Sequence, residues 1–178
     1  MKNITRITIC ILLALSTLPL MAFTGLPSPQ AASLAAPTRT PRAGQQIDQE
    51  IVFAFQREQN WLELEQIHIT QAGQVISKGQ ALLDKAQSKG VDVADLSAAL
   101  AAFTTEAANA RTTHDQAAAI LNARNGFDAN GNVVDRQAAH QTVLDALTPL
   151  RQTHLTLAKA VLDLRIALQT WRLSHNQK

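Results

Sequence analysis

An all-α fold is predicted: an elongated antiparallel up-down-up bundle of three long helices. Two observations predict it, a seven-residue apolar repeat over 47–86 and two further apolar seams with helical spacing downstream. In the repeat every seventh residue is large and apolar: Phe55, Leu62, Ile69, Ile76 and Leu83. The residue before each is mostly apolar too (Ala54, Trp61, His68, Val75, Leu82). Such a stripe marks a long helix packed alongside others, about 60 Å long at 1.5 Å per residue.

The elements follow in order. Lys2 and Arg6 precede an uncharged run from Ile7 to Phe23 and then small residues. That order predicts a secretory signal peptide over 1–35, cleaved after Ala22 and before Ala36. An uncleaved membrane anchor is the alternative, disfavoured by the short run and by Pro19. Residues 36–44, with Pro37, Pro41, Arg39 and Arg42, predict a disordered tether. The single helical-bundle domain is then 45–178. The first helix runs from about Gln45 to Ser88, in phase across Gly73 and Gly79, and Lys89-Gly90 ends it. Asp92 is placed as N-cap of the second helix, with Asp95 three residues on. That helix reaches Arg124 with seam positions Leu96, Leu100, Phe103, Ala107, Ala110, His114, Ala117 and Leu121. The third helix extends from about Asp135 to Leu173 with a seam from Ala139 to Trp171 that stays in phase through Pro149. One bent helix is therefore expected, and a four-helix bundle is the alternative if Pro149 breaks it.

Composition narrows the function. The chain has 16 Lys and Arg against 14 Asp and Glu, and loss of Lys2 and Arg6 with the signal leaves 14 against 14. A near-neutral domain without a basic stripe excludes nucleic acid as the expected partner. The only cysteine, Cys10, lies in the signal, so the exported domain has no disulfide, thiol nucleophile or thiolate metal site. The sequence contains no glycine-rich phosphate loop, no Gly-x-Ser-x-Gly and no His-Glu-x-x-His, and no enzyme activity is expected.

A tight first turn centred near residue 91 pairs helices one and two at positions that sum to about 182. That register sets Gly79 against Phe103, Ala72 against Ala110 and Phe55 against Phe127. It also brings Glu58, a carboxylate on the seam, to Arg124 as an expected structural ion pair. Glu65 lies on the seam, His68 and His114 share a level, and a second turn centred near 129 sets His140 about one turn below. Glu65, His68, His114 and His140 are thus the candidate metal ligands. Glu65-Gln-Ile-His68 is similar to the Glu-x-x-His motif of ferritin-like di-iron carboxylate bundles, which use it twice; here it occurs once. Asp128, Asn130 and Asn132 resemble the first three ligand positions of an EF-hand loop. Val133 replaces its glycine and Ala139 its closing glutamate, so a plain turn is expected.

The chain resembles the broad class of small exported bacterial all-helical proteins. The expected role is a non-enzymatic exported scaffold or protein-binding module, with no cofactor. Its partner is another protein or a second copy of itself, and a membrane only if the signal segment stays attached. The alternative is a metal- or haem-binding bundle using Glu65, His68 and His114.

Overall fold

The computed structural model describes residues 43–176, and the expected signal peptide and residues 36–42 of the tether lie outside them. The last two tether residues do not belong to a tether, because α1 already begins at Ala43. Three helices pack on each other: α1 (Ala43–Gln87), α2 (Ala94–Ala123) and α3 (Arg136–Asn176). α3 is continuous through Pro149, so the four-helix alternative is overturned. An interior proline costs about 3 kcal/mol. Full burial of Ala146 and Leu150 on either side of it offsets that cost. None of the helices among the described residues is long and apolar enough to cross a membrane.

All eight predicted seam residues of α2 are buried. On α1 the buried face is Ile51, Phe55, Glu58, Glu65, Ile69, Ala72, Val75, Leu83 and Ala86. Its second row is therefore three residues after each heptad position, not the residue before it, and two members of that row are acids. The helix ends in a Schellman motif: Val91 N–H donates to Ala86 O, Gly90 N–H donates to Gln87 O, and Gly90 takes φ +73°. Val93, not Asp92, is the N-cap of α2, and Asp92 Oδ1 instead accepts from Ala94 N–H at 3.1 Å. α3 is capped by Asp135, whose Oδ1 accepts from Gln137 and Ala138 N–H at 3.0 and 3.1 Å.

The α2–α3 loop does not form the symmetric turn expected. Arg124 and Gly126 both take positive φ, and the chain doubles back so that Gly126 lies against Ala139 of α3. Phe127 stacks on Phe55 with ring centroids 4.2 Å apart, the expected pairing. Asp128 accepts from Asn130 N–H and Asn132 N–H at 2.8 Å and from Asn132 Nδ2 at 3.0 Å. These bonds hold its carboxyl below the ordinary value, with the Asn132 side chain the largest cause. The carboxylate closes its own loop, as a turn requires.

At the bundle's lower end Arg136 donates to both Asp48 oxygens, at 2.8 and 3.1 Å. The side-chain bond from Arg136 lowers the Asp48 pKa and raises that of Arg136. A lowered folded-state pKa contributes stability above the unfolded value of 3.8, and that contribution is lost as pH falls through the lower folded value. Asp48→Asn should therefore flatten the acid limb of a stability-against-pH curve. An acid limb with unchanged slope would mean the pair does nothing in solution, as exposed pairs often do.

The core falls into two apolar clusters. One holds Ile69 to Ala86 of α1 with Val93 to Ala110 and Leu157 to Trp171; the other holds Ile51 and Phe55 with Ala117, Leu121, Phe127 and Ala139 to Leu150. Between them lies a polar layer of Glu58, Glu65, His114 and Thr153, all buried.

Candidate functional site

The polar layer opens onto a groove between α1 and α3. α2 and α3 pack most closely, whereas α1 stands off from α3. Two cavities of about 690 Å³ each line up in the gap and share Arg57 and Leu147. The lower one is walled by Ile47, Ile51, Val143 and Leu144, with His140 and Arg136 at its edge. The upper one is lined by Glu58, Trp61, Leu64, Glu65, His68, Arg151 and His154. From Ile47 to His68 the groove follows α1 for about 30 Å.

Glu65 is fully buried and its carboxylate is engaged on both oxygens. Trp61 Nε1 and His154 Nδ1 each donate to Oε1 at 2.9 Å, and His68 Nδ1 donates to Oε2 at 3.3 Å. A carboxylate only accepts, so both imidazoles carry their proton on Nδ1 and leave Nε2 without a proton when neutral. Glu58, one heptad earlier, is also fully buried. Arg57 donates to its Oε1 through Nη2 at 2.8 Å and Nε at 3.2 Å, while Oε2 is buried with no partner. An unpaired oxygen of this kind costs about 1–3 kcal/mol or more.

The ion pair expected between Glu58 and Arg124 is not made. Arg124 is the left-handed C-cap of α2 and donates to Ala129 O at 3.2 Å, which turns it into the loop. The expected metal set is not assembled either. Of its four members the structure joins only Glu65 and His68. His114 is buried on the α2 side, where Nε2 meets Leu62 O at 3.2 Å and Nδ1 meets Asp115 Oδ1 at 3.3 Å. His140 lines the lower cavity. Asp48 and Arg136 pair 88 residues apart, and Glu65 and His154 pair 89 apart, so α3 is displaced from the expected register. His140 consequently falls about 20 Å below Glu65 along the axis. The same displacement lifts His154, a residue the seam reading passed over, to the Glu65 level. Its signal in the sequence was its place beside Thr153, on the flank of the α3 seam.

Among the described residues no group of three or more His, Cys, Asp and Glu is arranged to hold a metal ion. The upper cavity contains no Ser, Thr, Cys or Lys that could act as a nucleophile. What it offers is binding: apolar and aromatic walls, two exposed cations at the rim (Arg57 and Arg151), and one unpaired carboxylate oxygen at the floor. No protein-family model matches this chain, and no curated protein and no solved structure matches it.

Proposed function

We propose that this protein is an exported, non-enzymatic binding module that takes an amphipathic helix of a partner protein into the α1–α3 groove. The observation that carries the reading is Glu58 Oε2, buried and unpaired beside a long apolar groove. A buried acceptor of that kind is retained at a cost, and a Lys or Arg on the incoming helix would satisfy it. Helix-in-groove recognition uses anchors at i, i+3, i+4 and i+7, and a groove of about 30 Å accommodates some twenty residues of helix, about 1.5 Å for each. Export rests on the N-terminal charge and apolar pattern. Intact mass of the protein recovered outside the cytoplasm tests it, and retention of Met1 would defeat it.

Binding is tested by a photo-cross-linking residue placed at Leu147 in the groove. A discrete cross-linked partner at that position, lost in a Glu58→Leu background, is the expected result. Equal capture from a control position on the far side of α2 would discredit the groove. Glu58→Leu itself should leave the protein unchanged or more stable by about 1–2 kcal/mol, since it removes a buried charge that is half unpaired. Gain of stability with loss of binding is the mark of a residue kept for function. A clear loss of stability would show that Glu58 serves the fold.

One observation favours metal binding as a second reading. Glu65 holds His68 and His154 through Nδ1, the arrangement in which a carboxylate orients imidazoles whose Nε2 atoms ligate a metal. Two imidazoles fall short of the three or four protein ligands that zinc takes, so the remainder would come from water or the partner. Elemental analysis of protein purified from the export compartment separates the readings. Stoichiometric metal that is lost in His154→Ala favours the second.

A further inference from the structure

α3 carries a second apolar stripe that the three-helix core does not use. Leu155, Leu162, Ile166 and Leu173 are 62%, 57%, 51% and 67% exposed. None of them lines the groove. Their successive separations are seven, four and seven residues, and that spacing holds all four on one face of the helix. The face lies opposite the buried row of Leu150, Leu157, Leu164 and Trp171. Four aliphatic side chains more than half exposed in one line form a patch of the few-hundred-Å² size that marks an interaction site.

The spacing says what covers it. Seven, four, seven reads the same in both directions, so the stripe is complementary to itself when turned end for end about the level of Leu164. Self-complementarity is the requirement of a two-fold contact between identical chains, and a foreign helix imposes no such symmetry. In that arrangement Leu155 meets Leu173 of the second copy, Leu162 meets Ile166, and the two polar members of the face, Lys159 and Gln169, meet each other. A parallel arrangement sets Lys159 directly against Lys159, like charge on like charge, which is unfavourable. We propose that α3 pairs antiparallel with α3 of a second copy through Leu155, Leu162, Ile166 and Leu173. Asp163 and Arg165 lie on opposite flanks, each near its own counterpart close to the two-fold axis. The apolar side chains therefore hold the contact, and it tightens as salt screens the flanks. The contact uses residues separate from the groove and is independent of the partner-helix reading.

Sedimentation velocity over a wide concentration range tests this on the purified protein. A monomer–dimer equilibrium is expected, weakened at least about tenfold by Leu162→Lys or Ile166→Lys, a change of about 1.4 kcal/mol or more. Both positions are exposed, so circular dichroism should show unchanged helix content. Orientation is read by disulfide formation in a Cys10→Ser background. Leu162→Cys mixed with Ile166→Cys should give a mixed disulfide in preference to either homodimer. Monomer at all concentrations, a dimer indifferent to both lysines, or dominant linkage between two copies of Leu162→Cys would each overturn the proposal. Monomer that co-sediments with phosphatidylglycerol vesicles, and is released by Leu162→Lys, would assign the stripe to a membrane surface instead.

Discussion

Gly126→Ala should lower stability by about 2–6 kcal/mol and shift the urea midpoint accordingly, the largest effect expected of any single methyl group in this chain. Two costs add. Gly126 has φ +86°, a conformation that strains any residue with a Cβ. The added Cβ would also lie 2.1 Å from Ala139 N and 2.6 Å from Asp135 O. Both are backbone atoms at the start of α3, so no side chain can swing aside. Relief requires the loop to lift off α3, which breaks the bonds from Val134 and Asp135 N–H to Gly126 O and disturbs the Phe127–Phe55 stack. Gly131→Ala is the control. It has a similar φ of +83° but nothing within 4 Å of the added Cβ, so only the strain of about 1–2 kcal/mol applies. Equal effects at the two positions would show that the close approach to Ala139 is unimportant.

Leu150→Ala should cost about 2–5 kcal/mol, while Leu155→Ala, five residues along the same helix, should stay within about 0.5 kcal/mol in dilute protein. Leu150 is fully buried in the lower cluster with Leu121 and Phe127, next to Pro149, and truncation leaves a hole between two closely packed helices. Leu155 is mostly solvent-exposed in one copy of the chain and loses little there. At concentrations where copies associate, Leu155→Ala should become destabilising as well, because stability then includes the contact between copies. A large loss at Leu155 in dilute protein would mean that the outward stripe serves the monomer, against the pairing argued above.

Helix number, helix extent and the buried faces of α2 and α3 were legible in the sequence. Every seam residue expected on α2 is buried, from Leu96 to Leu121, and α3 is unbroken through Pro149. These properties follow from periodicity, which is local: a residue's face depends on neighbours three and four places away. Even so, placing Glu58 and Glu65 on the buried face did not reveal what they bond.

Only the tertiary structure decided which polar residues meet. The level of one helix on another depends on the path of the connecting loop, and periodicity carries no information on that path. The α2–α3 loop folds back so that Gly126 touches Ala139, and this displaces α3 along α1 by about ten residues, or some 15 Å, from the symmetric-turn register. That displacement sends His140 to the lower cavity, brings His154 to Glu65, and sets the cations beside the α1–α3 groove. Arg124 is lost to Glu58 for the same reason, since the residue that turns the chain cannot also reach across the bundle. The sequence by itself therefore determined a three-helix bundle with two acids in its core. Loop geometry, acting over the length of the bundle, determined that those acids face a groove with two histidines.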